Sequence, residues 1–321
     1  MTALRSNQTR FIFGRAHMVL AILSLLLLCT SVNAQTKPPL VVVSIKPLHS
    51  IISHITDGVN QTLLLLTQQQ SPHDFQLRPS QKRLINAADI FFYSSDNIES
   101  FVPALKATNK SLHFIELSRI PELHALPART FHMHETHEDK HESIGANAIP
   151  NIDGHIWLSI DNAIIIANKV ADVLTLRIPE YAKHYQHNLT ILTKKLLKLK
   201  QQNQQLLSKF QTTPYLVYHD AYQYFEQENQ LNNAHFITTN PEHAPGIKRI
   251  KTLRELIRVK NIQCIFYEPP NIPALLNTLT EDAQIKLAPL DPIGAQIPEG
   301  KTQYFQLMQQ TATTLKECLS K

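Results

Sequence analysis

The sequence predicts an α/β protein with two lobes, each built on a parallel sheet flanked by helices, joined by one long rigid backbone helix. Two observations predict this fold class. Short β-rich runs alternate with helical patterns in both halves of the chain, and a long amphipathic pattern lies between the halves. Alternation of this kind is typical of βαβ units, whose strands are parallel. The chain has 321 residues, of which 43% are hydrophobic, so it can bury two cores.

The first predicted lobe covers residues 35–170. Its strands are expected at 40–45, 62–66, 90–93 and 113–117. Helical patterns at 48–55 and 80–88 lie between them, which favours parallel pairing through crossover connections. From 124 to 150 the apolar periodicity is lost and His, acidic and small residues dominate, which predicts an exposed loop without a core face.

A long helix is predicted to link the lobes within residues 171–212. Pro179 suits a first helical turn, because its fixed φ fits a helix and the missing N–H has no partner there. Apolar side chains then recur at intervals of three and four, at Tyr181, Tyr185, Leu189, Leu192, Leu196, Leu199, Leu206 and Phe210. A helix over 179–210 would be about 48 Å long at 1.5 Å per residue, so it would run along both lobes.

The second predicted lobe covers residues 213–321 and repeats the alternation of the first. Its strands are expected at 215–218, 235–238, 264–267 and 285–290. Helical patterns at 246–260 and 302–319 accompany them. The second half of the chain is therefore also predicted to fold as a parallel sheet with helices.

Residues 1–34 have the pattern of a cleaved secretory signal peptide. Three Arg and no acid precede an apolar run at 18–29, and the small-residue pattern at 32–34 predicts cleavage before Gln35. An uncleaved membrane anchor is the alternative, although the run is shorter than the roughly 20 apolar residues that a span needs. A lipid anchor on Cys29 is disfavoured because the bulky Leu28 precedes it. We therefore expect the mature chain in the periplasm.

Export changes how the charge and the cysteines are interpreted. Cleavage removes three Arg and leaves 28 of the 31 basic residues against 26 acids, so the net charge falls from +5 to +2. The basic character of the whole chain is therefore no indication of a nucleic-acid partner. Cys264 and Cys318 remain, in a compartment where disulfides persist. We expect them to be bridged, with two free buried thiols as the alternative.

Three histidines are candidate metal ligands because of where they lie. His73 and His219 each follow a predicted strand, and His155 precedes the apolar segment 156–158. Ligands of open parallel sheets bind outside the carboxyl ends of the strands, so loops from both lobes are predicted to meet in the cleft between them. Asp291 also follows a strand and is a candidate fourth ligand. Any one of these histidines alone would more commonly be a capping or core residue.

A second histidine group indicates metal traffic without locating a tight site. His132, His134, His137 and His141, with His124 before them, alternate with acids in the loop at 124–150. Mobile imidazoles and carboxylates in such a run can gather ions weakly, as an accessory metal-gathering loop. The alternative is a solvated linker that contains histidines by chance.

Six motifs, by their order and spacing, resemble those of the ZnuA-like periplasmic zinc receptors of ABC importers. The resemblance extends from about residue 40 to residue 319. The motifs are SIKP at 44–47, SPHDFQLRPS at 71–80, HIWLS at 155–159, YHDAYQYF at 218–225, FYEP at 266–269 and LDPIG at 290–294. The resemblance implies that His73, His155 and His219 bind the metal and that Cys264 pairs with Cys318. It also implies that the loop at 124–150 gathers metal. Some relatives have an acid before the first ligand, where this chain has Pro72, so Asp291 or water is left for the fourth position.

The resemblance predicts that the chain captures Zn²⁺ and delivers it to the membrane permease of an ABC importer, which works with a cytoplasmic ATPase. Three histidines favour zinc, whereas similar manganese receptors tend to have a carboxylate in place of His219. We expect a monomer that is not an enzyme and that binds no nucleic acid. The rivals are a zinc-dependent hydrolase or lyase, for which Glu268 would be the general base, and a metal-binding adhesin. Because Pro269 follows it, Glu268 is more simply a structural acceptor.

Overall fold

Two four-stranded parallel sheets form the framework of the protein. The computed structural model describes residues 38–67, 71–129, 151–232, 234–281 and 284–320. The first sheet has strands β1 (Val41–Val43), β2 (Thr62–Leu64), β3 (Ile90–Tyr93) and β4 (His113–Glu116), in the order β2-β1-β3-β4. The second has β5 (Tyr215–His219), β6 (Ala234–Thr238), β7 (Cys264–Tyr267) and β8 (Lys286–Pro289), in the order β6-β5-β7-β8. The predicted α/β class with two parallel sheets is confirmed.

The central strands are continuous apolar runs because helices cover both faces of each sheet. Val41–Val43 and Ile90–Tyr93 are buried at every position, and Val41 pairs with both Thr62 and Ile90 in register. A strand buried on both faces shows no polar alternation, which is why these runs could be read from the sequence.

The described residues contain nine α-helices, most of which connect successive strands. They are α1 (Lys46–Ile55), α2 (Pro79–Ala87), α3 (Val102–Thr108), α4 (Ile160–Arg177), α5 (Ala182–Leu207), α6 (Gln223–Glu228), α7 (Ile247–Lys260), α8 (Ala274–Thr280) and α9 (Gln303–Leu319). Within the described ranges, no helix combines the length and the apolar character that a membrane crossing requires.

The long helix is confirmed but is shorter than predicted. Pro179–Tyr181 form a 3₁₀ turn after the non-helical Ile178, and α5 then runs for 26 residues, about 39 Å. The residues at 171–177, which we had assigned to the linking helix, instead complete α4. The apolar side chains predicted to recur along this helix are buried from Tyr185 to Leu199. The helix packs against α1, α4 and α9.

A disulfide joins the second sheet to the last helix, as predicted. Cys264 is the first residue of β7 and Cys318 lies in the last turn of α9, with their Cα atoms 6.0 Å apart. Both cysteines are buried. The bridge closes a long segment, and closing it restricts the unfolded chain.

Residues Pro38–Lys321 form one compact unit. Polar contacts connect the first half of this unit to the loop that follows β8. The buried Lys46 in α1 donates to the carbonyl oxygens of Ala295, at 2.7 Å, and Ile297, at 3.0 Å. The indole N–H of Trp157 donates to the carbonyl of Pro292 at 2.8 Å. These bonds fix the loop after β8 against the first half of the chain.

Candidate metal centre

The second sheet places His219 at the point where its strand order reverses. The chain leaves β5 for β6 on one side and then crosses to β7 on the other, and ligand sites form at the carboxyl ends beside such a switch point. His219 is the last residue of β5, and Glu268 directly follows β7. The Glu268 Oε2 atom lies 3.2 Å from His219 Nδ1. A carboxylate can only accept, so this contact places the ring proton on Nδ1 and leaves the lone pair of Nε2 free.

His155 is fixed by an acid two residues before it. Asp153 Oδ1 accepts the backbone N–H of His155 at 3.0 Å and lies 2.7 Å from its ring Nδ1. The following 3₁₀ turn, Ile156–Leu158, is fully buried. Gly154, directly before His155, has no room for a side chain, because a Cβ there would collide with the side chains of Ser95 and Ile98.

His73 comes from the loop that follows the edge strand β2 and is the least buried of the three rings. Its backbone N–H donates to Ser71 Oγ at 3.3 Å, and its carbonyl accepts from Ser100 Oγ at 2.8 Å. The loop is therefore held to the segment that precedes α3, and His73 reaches the other histidines from the first half of the chain.

The structure brings these three predicted residues together. Their ring centroids are 5.5 Å apart for His73 and His155, 5.1 Å for His73 and His219, and 4.9 Å for His155 and His219. One ligand nitrogen from each ring lies within 4.8 Å of the other two. Around a tetrahedral Zn²⁺ with Zn–N bonds of about 2.0–2.1 Å, ligand nitrogens are about 3.3 Å apart, so small side-chain movements would complete the shell.

Burial and unpaired polar atoms fit a metal between these rings. His219 is 2% exposed and its Nε2 has no hydrogen-bond partner among the described residues, although a buried unpaired nitrogen destabilises the fold. Burial, with the neighbouring His155 and His219, lowers the pKa of His73 from 6.5 to about 2. Its imidazole is therefore neutral at physiological pH, which is the form that binds metal.

Asp153 remains an anion in this setting. Burial raises its pKa, but the adjacent His155 ring and the hydrogen bonds donated by His155 and Gln223 outweigh burial, so the pKa of Asp153 is lowered overall. A carboxylate bound to the far nitrogen of a ligand histidine increases the basicity of the ring and fixes its orientation.

Comparison with known proteins agrees with this geometry. The family model described as zinc-uptake complex component A, periplasmic (ZnuA), matches residues 41–318. The chain belongs to the ZnuA family. Curated relatives named high-affinity zinc uptake system protein ZnuA are 31% identical, from Brucella suis biovar 1, with 88% of this chain and 92% of the relative covered, and from Haemophilus ducreyi, with 87% and 93% covered. A crystal structure of ZnuA superposes with a TM-score of 0.72 at 19% identity, covering 88% of this chain and 99% of that one.

The structure does not bring Asp291 into the histidine group of this ZnuA-family chain. Its Oδ1 accepts the backbone N–H groups of Ile293 and Gly294, each at 2.9 Å, and Oδ2 accepts that of Ala295 at 2.6 Å. Burial raises the pKa of Asp291, and these donors oppose the rise. In the described residues, the group able to hold a metal consists of the three histidines.

The accessory histidines His132, His134, His137 and His141 lie outside the described residues. So do the predicted signal peptide and its cleavage site. His124 is described, is exposed, and lies outside the histidine group. Its backbone N–H donates to Asn162 at the start of α4, which is a structural contact.

Of the two supporting acids, Asp153 was not identified from the sequence, and Glu268 was predicted as a structural acceptor without its partner. Asp153 has a local signal, because an acid two residues before a histidine can reach its ring from a tight turn. Glu268 is 49 residues from His219 and meets it only because β5 and β7 are neighbours in the sheet. Only the strand order, which the sequence does not state, brings that pair together.

Proposed function

We propose that this chain is an exported, high-affinity zinc receptor that captures Zn²⁺ with His73, His155 and His219 and delivers it to an ABC importer. The observation that carries the proposal is the convergence of three imidazoles, with the buried Nε2 of His219 unpaired. The similar relatives are named as zinc-uptake proteins, and the match covers most of the length of each relative, which supports the same conclusion. The working compartment is the periplasm, reached through a signal peptide at 1–34.

Zinc is the cargo that this donor set favours. Three neutral nitrogens with one oxygen from water or Asp291 would complete a tetrahedral shell, which is the geometry that Zn²⁺ prefers. Manganese prefers carboxylate and water ligands, and the carboxylates nearest the rings, on Asp153 and Glu268, already contact the far nitrogens of His155 and His219.

Binding and release, without catalysis, fit the contacts of Glu268. As the base of a zinc hydrolase it would need to face a metal-bound water, but its Oε2 contacts His219 Nδ1, the ring nitrogen that does not face the other histidines in the proposed site. That contact supports a role in orienting a ligand. The ligands come from three separate segments, so a shift of one segment against the others would weaken the shell and release the ion to a permease. We propose that the chain acts as a monomer in this step.

The direct test is metal binding by the mature chain, residues 35–321, after its metal has been removed with a chelator. Titration with zinc and with manganese, followed by metal analysis, should show one tight zinc per chain and weaker manganese binding. His73→Ala, His155→Ala and His219→Ala should each remove most tight binding, because the described part of the chain places no fourth imidazole in the group. His187→Ala, on the exposed face of α5, is the matched control and should bind as the wild type does.

Delivery needs a separate measurement in cells. A strain that lacks its own zinc receptor and carries the matching importer should take up labelled zinc when the wild-type chain is supplied. The His219→Ala variant, exported to the same level, should not restore uptake. Tight zinc binding without restored uptake would indicate a zinc-binding protein or an adhesin that does not serve the importer. Zinc-dependent hydrolysis of a substrate would favour the hydrolase.

A further inference from the structure

The two ends of the histidine-rich segment pair with each other beside the metal centre. Pro127 and Ile152 form an antiparallel bridge on either side of residues 130–150, which lie outside the described part of the chain. Backbone bonds on both sides of that bridge extend the pairing, with N···O distances of 2.8 and 2.9 Å. We call the paired residues at 126–129 and 151–153 the stem.

Helix α6 holds the stem through side chains that also reach the support of a metal ligand. The Tyr224 hydroxyl accepts the backbone N–H of Leu126 at 3.1 Å and donates to the carbonyl of Asp153 at 2.7 Å. The Gln223 amide donates to Asp153 Oδ2 at 2.6 Å. Asp153 is the acid that orients His155, so the stem and this ligand share one set of contacts.

Arg129, the last described residue before the histidine-rich segment, connects the stem to the other ligand strand. Its Nε and Nη2 donate to the two oxygens of Asp220, the Nε bond at 3.0 Å, and its Nη1 donates to Glu226 Oε2 at 3.0 Å. The guanidinium lies over the Phe236 ring, 5.2 Å from its centroid. Asp220 directly follows His219, and both carboxylates are buried.

This arrangement makes Arg129 the cation that faces two buried carboxyl groups. Burial raises the pKa of both, that of Glu226 to about 7, and the guanidinium opposes the rise. Loss of one partner from such a group leaves uncompensated buried charge, which is far more unfavourable than loss of an exposed pair. Asp220 and Glu226 would then lose the three hydrogen bonds that Arg129 donates, and the backbone at the end of β5 would shift to admit water. His219 would shift with that backbone, because it precedes Asp220.

We propose that Arg129 is a positioning residue of the metal centre: it holds the stem against Asp220 and Glu226, and so keeps His155 and His219 in place and slows zinc release. The inference rests on the proposed zinc-binding function and adds a link between the base of the histidine-rich segment and the tight site. Loosening of the stem contacts is therefore expected to loosen the hold on both histidines.

The test is the rate of zinc release from the full mature chain. Zinc-loaded protein is mixed rapidly with an excess of a chromogenic chelator, and the dissociation rate is read from the colour. Removal of outer contacts commonly weakens metal sites about 10- to 100-fold, and Arg129 acts through other residues, so Arg129→Met should release zinc about tenfold faster. Arg129→Lys should lie between Arg129→Met and the wild type, because an ammonium keeps the charge but cannot pair with both carboxylates in the same geometry.

Arg119→Met is the matched control, because Arg119 pairs with Glu116 and shares no contact with the histidine group. It should release zinc at the wild-type rate. Melting temperatures of the zinc-free variants separate positioning from general stability, since a purely structural role would lower them and leave the release rate unchanged. Wild-type release from folded Arg129→Met, or equal acceleration in Arg119→Met, overturns the inference.

A further variant, Glu226→Gln, decides the case in which Arg129→Met does not fold. Glu226→Gln keeps the pairing of Arg129 with Asp220 and nearly the same volume, and it should accelerate release by about threefold, in proportion to the one charged hydrogen bond it weakens. An unchanged rate in this variant would reject the inference. Failure of the wild-type chain itself to bind zinc would reject the proposed function, so the two failures are distinguishable.

Discussion

Asp153→Asn is the substitution that most directly tests how the centre is supported. In the wild type, Oδ1 of this buried acid accepts both the backbone N–H and the ring Nδ1–H of His155, and Oδ2 accepts from Gln223 at 2.6 Å. Asparagine keeps the shape and one acceptor oxygen but removes the charge. Its amide N–H₂ would also face the amide N–H₂ of Gln223, so one of these two donors would lose its partner.

The expected loss follows from the contacts. A hydrogen bond to a charged group contributes about 1.5–3 kcal/mol and one between neutral groups about 0.5–1.5 kcal/mol, so removal of the charge weakens the hold on His155 by about 1–1.5 kcal/mol. The mismatch with Gln223 brings the total to about 1.5–2 kcal/mol, which is about a 10- to 30-fold weaker zinc affinity at 1.36 kcal/mol per decade.

Glu268→Gln provides the internal comparison. Its contact with His219 is longer, at 3.2 Å against 2.7 Å, and its side chain is 24% exposed where that of Asp153 is 6% exposed. Solvent screens the more exposed pair, so this variant should lose only about three- to fivefold in affinity. Competition with a chelator of known zinc affinity measures both constants. A wild-type constant for Asp153→Asn, or a larger loss for Glu268→Gln, would refute the reasoning.

Four further outcomes are expected. Asp291→Ala should weaken zinc binding less than any ligand histidine does, since its oxygens accept backbone N–H groups, and an equal loss in the same titration would make Asp291 a ligand. Deletion of 132–141 should keep one tight phase in calorimetry while the weakly bound ions decrease, and loss of the tight phase would contradict this assignment. Zinc should raise the melting temperature more at pH 7.5 than at pH 5, because imidazoles must be neutral to bind, and equal shifts would indicate carboxylate ligands. Burial raises the pKa of Glu99 from 4.5 to about 7, so its contribution to stability is full below pH 4.5 and is lost as the pH rises through 7. Between pH 5 and 8 the free energy of unfolding of zinc-free Glu99→Gln, measured with urea, should therefore fall less than that of the wild type. Equal decreases in the two proteins would refute this expectation.

Much of the fold could be predicted because burial on both faces leaves a clear pattern. The strands Ile90–Tyr93 and Cys264–Tyr267 have the predicted bounds, and α7 and α9 begin within a residue of theirs. The start of the long helix was misplaced because Pro179 fits both a 3₁₀ turn and a first α-helical turn. No sequence periodicity distinguishes those two conformations over three residues.

The sequence could predict which histidines lie together, but it could not predict the residues that support them. A histidine at the end of a strand can be found from the strand pattern, as His219 was. The contact of Arg129 with Asp220 joins residues 91 positions apart and depends on how the stem packs against α6. Such contacts are set by tertiary packing, and one sequence contains no direct signal for them.

The two sheets have the same strand order, and each contributes to the centre at its own switch point. In the second sheet the switch point presents one of the three histidines directly, because β5 ends at His219. In the first sheet Ser94 follows β3, and its hydroxyl donates to the carbonyl of Gly154, immediately before His155. Ser94 also donates its backbone N–H to the buried Glu99 at 3.0 Å, which fixes the serine. One sheet therefore presents His219 and the other holds the turn that presents His155, so a shift of either sheet against the other changes the distance between two of the three proposed ligands.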